Sequence, residues 1–161
     1  MNELAPGHPQ SPPPGPGAEP RMTSRQVALV ESSWKDILAV AETAAQLFYL
    51  RLFALDPSLR KMFRGEMREQ GRKLIAMMSV AVNGLARLET LVPVIEALGR
   101  RHAGYGVTDE HYATVAASLL WALEQGLGPR FTTDVREAWT AAYGLLAATM
   151  QSAARQEATA A

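Results

Sequence analysis

The chain has 161 residues, a length typical of one domain, and 48% of them are hydrophobic, which is enough for a single core. Its 16 basic and 16 acidic residues cancel, so no long-range field favours nucleic acid or an anionic membrane surface as a partner. The absence of cysteine excludes disulfides, thiolate metal sites, a cysteine nucleophile and covalent cofactor attachment through a CxxCH motif.

Residues 1–22 are rich in proline and glycine, with seven of the ten prolines of the chain. Such a segment cannot bury an apolar face, so we predict a disordered tail at residues 1–22 and one domain at residues 23–161. It lacks the charged start and apolar run of a signal peptide, and no apolar run in the chain reaches the roughly 18 residues of a spanning helix. We therefore expect a soluble, cytoplasmic protein.

The first half of the domain has helical periodicity nearly throughout. Asp56 precedes Pro57, and a residue before proline is disfavoured in a helix, so a helix ends there. Residues 64–70 are expected to form a corner. The predicted segments are a first helix capped by Thr23 or Ser24, a second helix over residues 41–55, a short helical turn over 57–63 and a long helix over 70–88.

The second half continues this pattern. Pro93 is expected in the first turn of the next helix, where its missing N–H has no effect. Thr108 with the acids after it begins another helix, ended by Gly126 and Gly128, and Thr132 or Thr133 begins the last one. No alternating strand pattern is present, so we predict an all-α fold of six or seven helices.

His102 is the first candidate for a functional residue. It follows Leu98 by four positions, so both lie on one face of an otherwise apolar helix. A single histidine on such a face is more often a core residue than a ligand, because a ligand role needs a metal to be present. The assignment therefore depends on residues elsewhere in the chain.

The long helix before it presents a second group. Gln70 and Leu74 are four residues apart and Leu74 and Met77 three, so they share one face, with Met78 beside them. A short connection predicts that this helix is an antiparallel neighbour of the His102 helix. The two faces are expected to oppose one another across a slot. Tyr49 is predicted to be buried on the second helix, where its hydroxyl needs a partner, and Gln70 is the nearest polar candidate.

These motifs in this order resemble the globin family, specifically the bacterial single-domain globins related to the globin half of flavohaemoglobins. The resemblance runs from about Thr23 to about Gln151. It rests on the segments FYLRLFALDPSLRKMF, QGRKL, LGRRHAGYGVTDEHY and EAWTAAYGLLA. The resemblance implies a globin fold of six to eight helices packed around a pocket for haem b, iron protoporphyrin IX.

The resemblance also implies roles for individual residues. His102 is similar to the proximal iron ligand, and Tyr49 and Gln70 to the distal hydrogen-bond donors. Other implied contacts of the cofactor are Phe63, which wedges against the haem, Leu74 and Met78 on the distal side, and Leu98, Val107 and Tyr112 on the proximal side. Haem propionates need cations, for which Lys73, Arg100 and Arg101 are candidates.

One position departs from the family pattern. The proximal glutamate of flavohaemoglobins falls at Ala154 in this chain, with Glu157 the nearest acid, and no reductase module follows. We therefore expect weaker electron donation from His102, and any nitric oxide dioxygenase activity to depend on an external reductase.

The function implied by the resemblance is reversible, high-affinity oxygen binding. Two distal donors would each stabilise bound oxygen by roughly 1.5–3 kcal/mol, which implies slow release. The expected partners are oxygen, nitric oxide and carbon monoxide, in a monomer or weak dimer. Two alternatives stay open: a haem-based gas or redox sensor that acts through the tail or a partner, and a globin-fold module without haem.

Overall fold

The computed structural model describes residues 22–160. The predicted tail, residues 1–22, lies outside this range apart from Met22, so the domain boundary stays a prediction. Within the described residues there are no strands, which confirms the all-α prediction. The chain forms six α-helices, α1 Ser24–Leu38, α2 Ala41–Leu55, α3 Met67–Gly84, α4 Leu88–Gly104, α5 Asp109–Leu127 and α6 Thr133–Ala160, and two short 3₁₀ helices, Pro57–Met62 and Gly128–Arg130.

Two of the predicted helix ends are set by side-chain hydrogen bonds. At the start of α1, the Thr23 hydroxyl accepts from the Gln26 N–H at 3.1 Å, and the Gln26 side chain accepts from the Thr23 N–H at 3.0 Å. After α2, Asp56 is extended and its carboxylate accepts from the Ser58 N–H at 3.1 Å. The predicted stop before Pro57 is therefore confirmed.

The long helix α3 begins earlier than the sequence pattern predicted. It starts at Met67, so the second half of the predicted 64–70 corner is helical. The Glu66 carbonyl accepts from the N–H groups of Glu69 and Gln70, each at 3.1 Å. Met67 is partly buried against the core. This packing stabilises almost one additional turn at the start of the helix.

The position predicted for Pro93 was wrong. Helix α4 begins five residues earlier, at Leu88, because Leu91 is buried in the core and draws the preceding turn into helical conformation. Pro93 therefore lies inside the helix and leaves the Glu89 carbonyl without its helical donor. Both Glu89 and Pro93 are exposed, so water can satisfy that carbonyl.

The end of α5 also differs in detail. The helix passes through Gly126 and ends at Leu127, and Gly128 follows with φ +57°, a positive value that favours glycine. A Cβ on Gly126 would lie 2.7 Å from the Ile37 Cδ1 atom, so this glycine allows α5 to approach α1. At the start of α6, the Thr132 hydroxyl accepts from the Val135 N–H at 3.3 Å, so Thr132 caps this helix as predicted.

The helices pack α4 on α6, α2 on α5, α1 on α6 and α2 on α3. Two buried tryptophans join helices by hydrogen bonds: Trp139 donates to the Ser33 hydroxyl at 2.9 Å and Trp34 to the Ser79 hydroxyl at 3.0 Å. No single helix among residues 22–160 combines the length and apolarity that a membrane crossing needs; α1 and α2 would do so only as a pair, bent by 102°.

A very close approach of two helices brings α4 against α6. A Cβ placed on Gly99 would lie 2.4 Å from the Met150 carbonyl oxygen and 2.5 Å from the Met150 Cα. Those atoms are main chain, so they cannot move aside as a flexible side chain would. The pairing of α4 with α6 therefore requires glycine at position 99.

Gly99→Ala should lower the free energy of unfolding by about 1–3 kcal/mol, because the two helices must separate to admit one methyl group. Gly144→Ala is the matched control: an alanine Cβ at this position of α6 would meet no atom within 4 Å, so the substitution should stabilise the helix by up to about 1 kcal/mol. Urea unfolding followed by circular dichroism measures both. Equal stability of Gly99→Ala and the wild type would contradict the close packing.

Candidate functional site

The His102 side chain is half-buried near the end of α4 and is held by one hydrogen bond. Its Nδ1 lies 2.9 Å from the Leu98 carbonyl oxygen, one helical turn earlier. A carbonyl can only accept, so Nδ1 carries the hydrogen and donates. In the neutral ring the Nε2 lone pair is then available to a metal.

The charge state of His102 follows from its surroundings. Burial lowers the pKa of the imidazole below its usual value, the bond to Leu98 opposes this, and the nearby Arg101 guanidinium lowers the pKa further. The net direction is downward, so His102 is neutral at pH 7. A neutral imidazole is the form that binds iron.

The remaining proximal candidates lie after His102 along the chain. Val107 is half-buried, and its N–H donates to the His102 carbonyl at 3.1 Å, which ties the α4–α5 corner to the histidine. Tyr112 is half-buried near the start of α5. Tyr143 of α6 was not predicted as part of this side, yet its hydroxyl donates to the Tyr112 carbonyl at 2.6 Å. The sequence does contain a signal for Tyr143, because this tyrosine lies on the apolar face of an amphipathic helix.

Tyr49 lies in α2 on the opposite side and is buried among aromatic rings. Its ring centroid is 5.2 Å from that of Phe63 in an edge-to-face arrangement and 5.9 Å from that of Phe53, on which it stacks. Burial raises the pKa of the Tyr49 hydroxyl to about 12. Tyr49 therefore keeps its proton at neutral pH and acts as a hydrogen-bond donor.

Gln70 is the partner of Tyr49, but through its main chain. The Tyr49 hydroxyl donates to the Gln70 carbonyl at 3.3 Å, while the Gln70 side-chain amide donates to the Arg64 carbonyl at 2.8 Å. The expectation that the Gln70 amide satisfies Tyr49 was therefore wrong. The early start of α3 provides the reason, because it places the Gln70 main chain beside Tyr49 and leaves the amide close to the preceding loop.

A small apolar cavity of about 20 Å³ lies next to the distal candidates Leu74 and Met78. All of its lining side chains are apolar, and they include Trp34 and Phe48. A water molecule needs two to four polar partners, so this cavity favours an apolar diatomic molecule over water.

The candidate cofactor contacts share one property: they are largely apolar but only half-buried, whereas the core residues around them are buried. Large apolar side chains of this kind can bury more surface against a flat apolar group. With a neutral imidazole beside them, this chemistry fits haem. The residues concerned are Phe63, Leu74, Met78, Leu98, Val107 and Tyr112.

The structure brings only part of the predicted site into direct contact. The contacts described above join Tyr49, Phe63 and Gln70. His102 lies on α4, which packs against α3, the helix that carries Gln70. Lys73, Arg100 and Arg101 are exposed, as propionate partners should be, and a choice among them stays a prediction.

On the proximal side, the His102 imidazole makes one hydrogen bond. No carboxylate among the described residues is hydrogen-bonded to this ring. Ala154 is half-buried and Glu157 is exposed. The same part of α6 contacts the start of α5 through Gln151, which donates to the Asp109 carboxylate at 3.1 Å. With alanine at position 154, the acceptor for the His102 ring within residues 22–160 is the Leu98 carbonyl.

An all-α fold with a buried phenol on one helix and a main-chain-bonded neutral histidine on another has the residues that a helical haem-binding protein requires. The model of the family Globin matches residues 46–150. Neuroglobin of Danio rerio is 29% identical over 144 residues, which are 81% of this chain and 91% of neuroglobin. The bacterial globin of Campylobacter jejuni superposes with a TM-score of 0.75 at 25% identity, over 85% of this chain and 99% of that one.

A flavohemoprotein of Bordetella parapertussis is 32% identical over 123 residues. That match covers 74% of this chain but 31% of the flavohemoprotein, so the chain spans about a third of that relative. The chain belongs to the globin family, whose members bind haem and diatomic gases. The resemblance inferred from the motifs is therefore confirmed.

Proposed function

We propose that this chain holds haem b through His102 and binds oxygen reversibly and tightly, with Tyr49 and Gln70 as distal donors. The observation that carries the proposal is the 2.9 Å bond from the His102 Nδ1 to the Leu98 carbonyl, which fixes the tautomer with a free Nε2. A haem iron bound by one histidine supplies an open coordination position for a diatomic gas.

The two distal donors can both serve a bound gas molecule. The Gln70 amide carries two N–H donors and uses one on Arg64, so the second stays available. The Tyr49 bond to the Gln70 carbonyl is 3.3 Å, long for an O–H donor, so redirecting the hydroxyl loses little energy. A polarised oxygen molecule is a stronger acceptor than a distant carbonyl.

The residues also exclude water and charge from the gas side. Leu74, Met78 and Phe48 line the small dry cavity, and Phe63 packs edge-on against Tyr49. Dry surroundings strengthen the hydrogen bonds from Tyr49 and Gln70, because the effective dielectric constant is low there. Slow oxygen release, rather than bulk transport, follows from this arrangement.

We also propose that the protein converts nitric oxide and oxygen to nitrate when a separate reductase supplies electrons. Each nitrate takes up one nitric oxide, one oxygen molecule and one electron. The proximal side supports a modest rate, because His102 donates to a neutral carbonyl instead of a carboxylate and so keeps ordinary basicity. Oxygen binding is therefore the primary function in this proposal.

His102→Ala should abolish the Soret absorption of five-coordinate ferrous haem in the purified, reconstituted protein, because no other candidate proximal ligand lies in α4. His111→Ala is the matched control: His111 only accepts from the Thr108 N–H at 3.0 Å at the start of α5, so the spectrum of this variant should equal that of the wild type. Added imidazole should restore the band in the His102→Ala variant. An unchanged Soret band in that variant without imidazole would exclude the proximal assignment.

Tyr49→Phe and Gln70→Leu should each raise the oxygen dissociation rate by about 10- to 100-fold, because each removes one charge-assisted hydrogen bond of roughly 1.5–3 kcal/mol. Stopped-flow displacement of oxygen by carbon monoxide measures this rate. Tyr105→Phe, which changes a tyrosine that is 73% exposed, should leave it unchanged. If neither distal variant releases oxygen faster, these residues are not the donors.

Mixing the oxygen-loaded protein with one equivalent of nitric oxide should give nitrate in equal amount within milliseconds, followed by no second turnover. Addition of a flavin reductase and NADH should make the reaction continuous. Nitrate is measured by ion chromatography and oxidation of the protein by absorbance. Release of oxygen without nitrate would rule out the dioxygenase proposal and leave oxygen binding intact.

A further inference from the structure

A broad groove lies on the outer side of the α2–α3 pair, apart from the proposed haem contacts. Its volume is about 710 Å³, within the range of pockets that hold small molecules. The residues that form it come from the length of α2 between Ala41 and Phe53 and from the first half of α3, with Arg60 between them. Of the predicted site residues only Tyr49 borders it.

The floor of the groove is mostly apolar. Ala45 and Gly71 meet where the helices cross, and a Cβ on Gly71 would lie 3.1 Å from the Ala45 Cβ, so the floor has no large side chain at that point. Leu50 borders the groove and is 64% exposed, more than any other leucine or valine in the described part of the chain. An occupant with an apolar body would remove this surface from water.

The rim of the groove is basic. Three arginines line it, Arg60, Arg68 and Arg72, with one acid, Glu42, which Arg68 pairs with at 3.3 Å across the two helices. The Arg60 guanidinium lies over the Phe53 ring, 5.3 Å from its centroid. Two arginines are thus left to attract an anion, although the whole chain has a formal charge of zero.

We propose that this groove binds a long-chain carboxylate, a free fatty acid, with its chain along α2 and its carboxylate at Arg60. The groove follows α2 from Ala41 to Phe53, a length of about 18 Å at the usual rise per residue, which suits an extended acyl chain. The carboxylate belongs at the Arg60 end, because Glu42 occupies the other end and would repel it.

Other occupants fit less well. A nucleotide needs several polar contacts for its base and sugar, whereas the groove floor offers mainly aliphatic side chains. Fatty-acid binding does not depend on the proposed oxygen chemistry, because the acyl chain contacts protein residues only. The link between the two is Tyr49, which borders both sites.

The test uses the full-length, haem-loaded protein. Calorimetric titration with dodecanoate below its micelle concentration should give one site, and dodecanol, which lacks the charge, should bind at least tenfold more weakly. A palmitate that carries a diazirine group should label residues of α2 and α3 on irradiation, as mapped by mass spectrometry. Dodecanoate should compete with this labelling.

Two variants with matched controls locate the site. Arg60→Ser should weaken dodecanoate binding at least tenfold, whereas Arg136→Ser, which removes a comparable arginine over the Phe131 ring, should not change it. Leu50→Asp should weaken binding to a similar extent, whereas Val94→Asp, at an exposed valine of α4, should not. Unchanged spectra and unfolding curves of all four variants show that the fold is retained.

Three results would overturn the proposal: no dodecanoate binding, binding by Arg60→Ser and Leu50→Asp equal to that of the wild type, or labelling concentrated around His102 instead of α2 and α3. A dimer that Leu50→Asp dissociates, together with absence of dodecanoate binding, would assign the groove to a second copy of the chain. The oxygen release rates of the distal variants do not enter these outcomes, so the two proposals fail separately.

Discussion

The hydrogen bond from the His102 Nδ1 to the Leu98 carbonyl is the interaction on which the site depends. It is a bond within one turn of α4, so it forms as soon as the helix does and needs no tertiary contact. It fixes the ring orientation and the tautomer together. Burial and Arg101 then keep the imidazole neutral. Local structure thus sets the tautomer of His102, and burial in the folded chain sets its charge.

The two sides of the pocket are built on different principles. The proximal side relies on main-chain acceptors, namely the Leu98 carbonyl for His102 and the Tyr112 carbonyl for Tyr143. The distal side relies on aromatic packing that buries Tyr49 and keeps it protonated. In our proposal, a neutral acceptor behind His102 and two donors on the distal side favour holding a polarised gas molecule over activating it. This asymmetry explains why oxygen binding takes precedence over catalysis in our proposal.

The sequence predicted the helical class and the bounds of α2, because periodicity, capping residues and proline act locally. It did not predict the interior position of Pro93 or the early start of α3, since burial of Leu91 and Met67 overrides local signals there. The sequence could not predict the partner of the Gln70 amide either. That partner is the main-chain carbonyl of Arg64, and every residue has such a carbonyl whatever its side chain. The roles of the site residues rest on the family resemblance and await the experiments above.

The contact between Gly99 and the Met150 main chain has a mechanical consequence for His102, the proposed iron ligand. Because backbone meets backbone, α4 cannot slide along α6 or roll about its axis without a collision, and His102 lies less than one turn from this point. The histidine is thus anchored to the longest helix of the described chain. Movement of His102 therefore requires α4 and α6 to move together as one unit.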